Sequence, residues 1–135
     1  MSFLNKRRLS ERRGTATVEL AVCLPVIVLV AMGAIEGASM AFLRQTLVQS
    51  AYEGVKVAVR RGNDAANGQA AAQAVIDGRS LAGTTITFSP SDPDSASAGE
   101  PITITVTAPS DANSVLPFGP FQGKTVTVTA TMAKE

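Results

Sequence analysis

The chain has 135 residues, 45% apolar, 17% charged and 4% aromatic, with no Trp and no His, a composition between that of a soluble domain and a membrane protein. One small domain plus a helix is the ceiling at this length, and with so few aromatics any core must be built from Ala, Val and Ile. The lack of His removes the commonest general base and metal ligand, and the lone Cys23 excludes an internal disulfide or a paired-cysteine metal site. Most enzyme classes fall away, and no catalytic residue, metal, cofactor or small-molecule substrate is expected.

Net charge is +1, but it is unevenly placed: Lys6, Arg7, Arg8, Arg12 and Arg13 stand against Glu11 in residues 1–14, and the remainder is net acidic. The basic cluster has no aromatic or Gly-rich interleaving and runs into apolar sequence, which argues against nucleic acid as a partner. From Leu20 to Ile35 no charge occurs, and Glu36 is the only one before Arg44. Residues 20–43 would span roughly 36 Å as a helix, enough to cross a hydrocarbon core of about 30 Å with some tilt. Cations before the apolar run and few after it place the N-terminus on the cytoplasmic side of the inner (cytoplasmic) membrane and the C-terminal part outside, as a single pass.

The helical period continues beyond membrane length. Met40, Leu43, Leu47, Ala51, Val55 and Ala58 recur at spacings of three and four, with Arg44, Gln45, Gln49, Glu53, Lys56 and Arg60 opposite. One helix is therefore expected over about 16–61, closed by Gly62-Asn63. A second, Ala-rich helix should run from Asp64 or Asn67 as N-cap to Asp77-Gly78. After Gly83 the period falls to two: Ile86 and Phe88, then Ile102, Ile104 and Val106, then Val126, Val128, Ala130 and Met132, each alternating with Thr. The sequence thus predicts an α+β fold, a three-stranded antiparallel sheet with one wet Thr face, laid on the Met40–Val59 stripe of the long helix. The segments are a leader (1–14), a transmembrane helix (15–43), its extramembrane continuation (44–61) and a small α+β periplasmic domain (62–135).

Glu19 is the anomaly in this pattern. A carboxylate at the entrance of an apolar span is costly in hydrocarbon and unusual in a secretory signal, so it needs a cation. Cleavage after Gly14 would supply one, the new α-ammonium of Thr15. The run Arg12-Arg13-Gly14, Thr15-Ala16-Thr17-Val18-Glu19-Leu20 resembles the type IV prepilin signature: basic leader, Gly, four residues, Glu, apolar residue. GTATVELAVCLPVIVLVAMGAIEGA, with Pro25 and the outer Glu36, and the later AYEGVKVAVRRG resemble more narrowly the TadE-like minor pilins, or pseudopilins, of tight-adherence (Flp, type IVc) pilus systems. Leu20 departs from that pattern, standing where aromatic residues are common.

The resemblance implies processing by a prepilin peptidase between Gly14 and Thr15, and assembly with other pilins and the pilus machinery for surface attachment. It also implies a register contact from Glu19 to the Thr15 ammonium of a neighbouring subunit. The residues themselves add further expectations. Pro25 should kink the helix near Ala21–Pro25; Gly33 and Gly37, at four-residue spacing, could let helix backbones approach; Glu36 should be half-wet at the outer interface, free to meet a partner's cation. Leu116, Phe118 and Phe121 form an apolar loop that either folds back on its own sheet or serves as a partner-binding tip. Asp92, Asp94 and Glu100 share one acidic loop, whose spacing fits no EF-hand calcium site and reads as a solvated linker. The competing class is a secreted or twin-arginine-exported small domain, suggested by Arg7-Arg8 and Arg12-Arg13 ahead of the apolar run, with a cleaved or uncleaved anchor. A membrane-tethered hydrolase lacks support, since the chain has no GxSxG motif and no His.

Overall fold

The computed structural model describes the backbone of residues 3–116 and 119–135, and side chains from Gly14 onward. Helix α1 (Phe3–Ala58) is followed by α2 (Ala65–Gly78) and strands β1 (Thr85–Ser89), β2 (Pro101–Pro109) and β3 (Thr125–Ala133), with one 3-10 turn, Pro93–Ser95, between β1 and β2. The chain divides into two compact units, Met1–Ile35 and Glu36–Glu135.

In the first unit, α1 runs from Phe3 through Gly14 and Pro25 as one helix. Its apolar side chains face outward: Val22, Leu29 and Val30 are each 69% exposed. Aliphatic side chains without a protein neighbour are what a lipid-facing helix presents.

In the second unit, the three strands form an antiparallel meander in the order β1-β2-β3. The period-two pattern sets the register. Thr87, Thr105 and Thr129 stand in one row, and Phe88, Ile104 and Ala130 in the next, so the alternating Ile, Val, Phe and Met side chains fall on one face. That face supplies Ile102, Ile104, Val106 and Ala108 to a core closed by Leu43, Leu47, Ala51 and Val55 of α1, by Val59 just past its end, and by Ala72 and Ile76 of α2. The expected docking of the sheet on the Met40–Val59 stripe is what the structure shows. On the opposite face the Thr row is wet, and the Thr103 and Thr131 hydroxyls hydrogen-bond across strands at 2.8 Å.

Helix α2 starts where its capping chemistry predicts. The Asp64 carboxylate accepts from the Asn67 amide at 2.8 Å, satisfying one of the orphan N–H groups of the first turn. Two glycines then let α1, α2 and the sheet meet: a Cβ on Gly54 would lie 2.6 Å from Ile104 Cδ1 and 2.9 Å from Ala72 Cβ, and one on Gly68 would lie 2.9 Å from Ala58 Cβ and from the Gly54 carbonyl. The buried Ser50 hydroxyl donates to the Ala72 carbonyl at 2.9 Å, tying the helices together at the same level.

Helix α1 ends three residues before the expected Arg61. Its last carbonyls are claimed from the far end of the chain: Lys134 Nζ donates to Ala58 O at 3.3 Å and the Glu135 amide to Val59 O at 2.9 Å. Lys134 is only 7% exposed and also lies 3.9 Å from Asp94 Oδ1. A cation at this end of a helix is stabilised by the macrodipole. Gly62, at φ +78°, makes the left-handed turn that follows.

Candidate functional site

The residues singled out at the N-terminus lie on α1 within the first unit. Gly14 is helical and open, with nothing within 4 Å of where a Cβ would stand. Thr15, Glu19 and Pro25 are exposed on the same helix, and so is Cys23, a free thiol. The four-residue step from Thr15 to Glu19 turns the helix by a little more than one revolution, so the two positions share a side of α1. Gly33 and Gly37 are likewise exposed with open space at their Cβ positions. Backbones can approach closely where no side chain intervenes.

Glu36 differs from its expectation. It is 2% exposed, not half-wet. The Ser114 hydroxyl donates to Oε1 at 2.5 Å and the Leu116 amide to Oε2 at 3.3 Å, while Gly119 would bring a Cβ within 3.6 Å of its Cγ. The β2–β3 connection has therefore folded back, but onto the carboxylate at the start of this unit instead of onto the sheet alone. Leu116 and Phe121 are half-buried there; Phe118 lies outside the described residues. A buried carboxylate must be hydrogen-bonded, and one hydroxyl and one backbone amide meet that need here.

Three further side chains hold this connection in place. Ser110 is 1% exposed; its hydroxyl sits against the carbonyls of Phe121 and Lys124, closing the base of the loop. Asn113 exchanges hydrogen bonds with both backbone groups of Ala82 and donates to Pro109 O at 2.9 Å. Asp111 accepts from the Gly123 amide at 2.7 Å. None of these was singled out from sequence, where Ser, Asn and Asp in a turn-rich segment carry no address for partners 11 to 31 residues away.

The acidic loop is locally occupied. Asp92 caps the 3-10 turn by accepting from the Asp94 amide, Glu100 accepts from the Ser97 amide, and Asp94 faces Lys134. Among the described residues no cluster of three or more acidic, His or Cys side chains is placed to hold a metal.

One helix is long and apolar enough to cross a membrane, within Gly14–Ala58, and none of its most apolar stretch is buried. The family comparison falls on the same segment: residues 14–56 match the TadE-like protein family. Residues 14–56 are TadE-like. The match spans under half of the chain, running from the glycine after the basic leader to the last turns of α1 and stopping short of α2 and the sheet. Neither a curated protein nor a solved structure matches the chain. The TadE-like segment carries the general inference of a minor-pilin-like protein associated with the components of a tight-adherence pilus.

Proposed function

We propose that this TadE-like protein is a minor pilin of a tight-adherence pilus, cut between Gly14 and Thr15 by a prepilin peptidase and anchored by α1 with its C-terminal unit outside the inner membrane. The observation that carries the reading is the outward-facing apolar stretch of α1 that follows Gly14 and holds a single acid, Glu19, before Glu36. The family match starts at that same glycine. In this reading the leader is a cytoplasmic handle for the peptidase and Glu19 takes the Thr15 ammonium of a neighbouring pilin. An ion pair in hydrocarbon adds little net stability but fixes register strongly, because leaving either partner alone is expensive. Other pilins and the pilus assembly machinery are then its partners, and surface attachment is the outcome it serves.

The test is the mass and N-terminal sequence of the chain recovered from membranes that contain the peptidase. A mature chain beginning at Thr15 is expected, and Gly14→Trp should leave the full-length chain uncut while membrane insertion persists. A mature chain beginning near Met40 would instead mark an exported domain released from its anchor and overturn the pilin reading.

A further inference from the structure

The second unit leaves one side of its sheet and one side of its helix layer open together. Strand β3 pairs only with β2 among the described strands, so its outer edge carries unpaired backbone groups over nine residues with no charge, proline or bulge to blunt it. Long unprotected edges of this kind are templates for an added strand. Beside that edge a groove of about 380 Å³ runs between α1 and β3, lined by Arg44, Val48, Tyr52 and Thr127–Ala130. It adjoins a second one, about 490 Å³, along the outer face of α1 at Ala41, Gln45 and Gln49. Val48 and Tyr52 remain 48% and 50% exposed there.

We propose that the occupant is a second copy of this chain, added side by side so that its β1 pairs in parallel with β3 and its α2 covers the groove. Three observations choose this arrangement. Because β1 and β3 are both antiparallel to β2, a copy shifted across the sheet presents β1 parallel to β3. Carrying the existing register across sets the second copy's Thr85–Ser89 beside Thr127–Thr131, Thr next to Thr and Ile86 next to Val128. The faces match without a slip.

The second observation is charge. Within one copy, Gly54 lies against Gly68, Ser50 bonds Ala72, and the Arg79 guanidinium sits 5.2 Å over the Phe42 ring. Helix α2 therefore runs antiparallel to α1 with Asp77 at about the height of Arg44. A shifted copy keeps those heights and brings its exposed Asp77 to the open side of Arg44. Among the described residues neither side chain has an ion pair of its own.

The third is direction. Pairing β3 with β3 about a two-fold axis would reverse α1 in the second copy, whereas the shifted arrangement points both α1 helices the same way, as two chains anchored in one membrane require. Two helices over three strands, which advance about 14 Å, demand close helix spacing. The Gly54–Gly68 approach and the exposed small side chains of Ala66, Ala70 and Ala74 on α2 supply it. The contact is heterologous and unclosed, so it adds copies in a row. For direction it rests on the membrane-anchored reading and otherwise on the second unit, and its failure would leave the reading of Gly14 and Glu19 untouched.

The test is cysteine crosslinking of the full chain in membranes, in a Cys23→Ser background. Thr87→Cys and Thr129→Cys both alter exposed residues of the wet face. Chains bearing one should form disulfide dimers only when mixed with chains bearing the other, and chains bearing both should give a ladder. Arg44→Glu should lower the yield about two- to fivefold, as expected of an exposed pair, and Asp77→Arg in the second chain should restore it. Dimers of Thr129→Cys alone would mean two-fold pairing of β3. The absence of crosslinks in the mixture, or crosslinks only to a different protein, would mean another occupant. Each of these results overturns the proposal.

Discussion

A single methyl group decides how closely the two helices and the sheet pack. Glycine costs about 1 kcal/mol against alanine within a helix, so Gly54 persists in α1 against propensity, and its three neighbours inside 3.2 Å of a Cβ give the reason. Gly54→Ala is expected to destabilise the second unit by about 1–3 kcal/mol through overpacking against Ile104 and Ala72, read as a lowered thermal midpoint. Gly33→Ala, with open space around it, should leave that midpoint unchanged; equal effects from the two would remove the close-approach argument. In the proposed reading Glu19 acts at the same scale in the other unit. Glu19→Gln keeps size and hydrogen-bonding capacity and makes insertion cheaper, so processing and membrane fractionation should survive while crosslinking to neighbouring pilins is lost. The uncompensated Thr15 ammonium would cost on the order of 3–5 kcal/mol, and normal crosslinking would leave Glu19 without its assigned role.

Elements were legible where their information is local. Period-two Thr alternation located all three strands, and Asp64 located the start of α2, because strand pattern and cap chemistry are written within a few residues. The end of α1 was not legible, since Lys134 and Glu135 take the Ala58 and Val59 carbonyls from more than 70 residues away. The burial of Glu36 was hidden for the same reason: Ser114 is 78 residues distant. Gly54 did leave a signal, falling between Ala51, Val55 and Ala58 on the apolar stripe, where a residue without a side chain marks a crossing. The β2–β3 connection now makes its own prediction. Ser114→Ala removes the hydroxyl donor to a buried carboxylate, a bond worth about 1.5–3 kcal/mol, and Glu36→Leu removes both bonds. Each should speed proteolytic nicking within residues 110–124, Glu36→Leu more than Ser114→Ala, because local opening sets cleavage there. Unchanged cleavage in both would mean that this contact does not hold the loop.

At the scale of the whole molecule, α1 does two jobs with one stretch of sequence, and the TadE-like match, residues 14–56, overlaps both parts. From Val18 to Ile35 it is an apolar surface without protein neighbours; its later turns, with Val59 just beyond them, supply Leu43, Leu47, Ala51, Val55 and Val59, all at most 4% exposed, to the core under the sheet. The sheet cannot be separated from that helix at low cost. Burying a Leu or Val side chain is worth about 1.5–3 kcal/mol, so removing these turns forfeits on the order of 10 kcal/mol, comparable to the entire stability of a small domain. Residues 62–135 alone should therefore be largely unfolded or aggregated, with Ile76, Ile102, Ile104 and Val106 uncovered. Residues 36–135 should show a single cooperative thermal transition, because that fragment retains the whole core and the Glu36 contact. A second route reaches the same answer without truncation: Leu47→Ala in the full chain should cost about 2–5 kcal/mol. A sharp transition in 62–135 without any partner would mean that the sheet and α2 make a self-sufficient core, and that the later turns of α1 only lean on it.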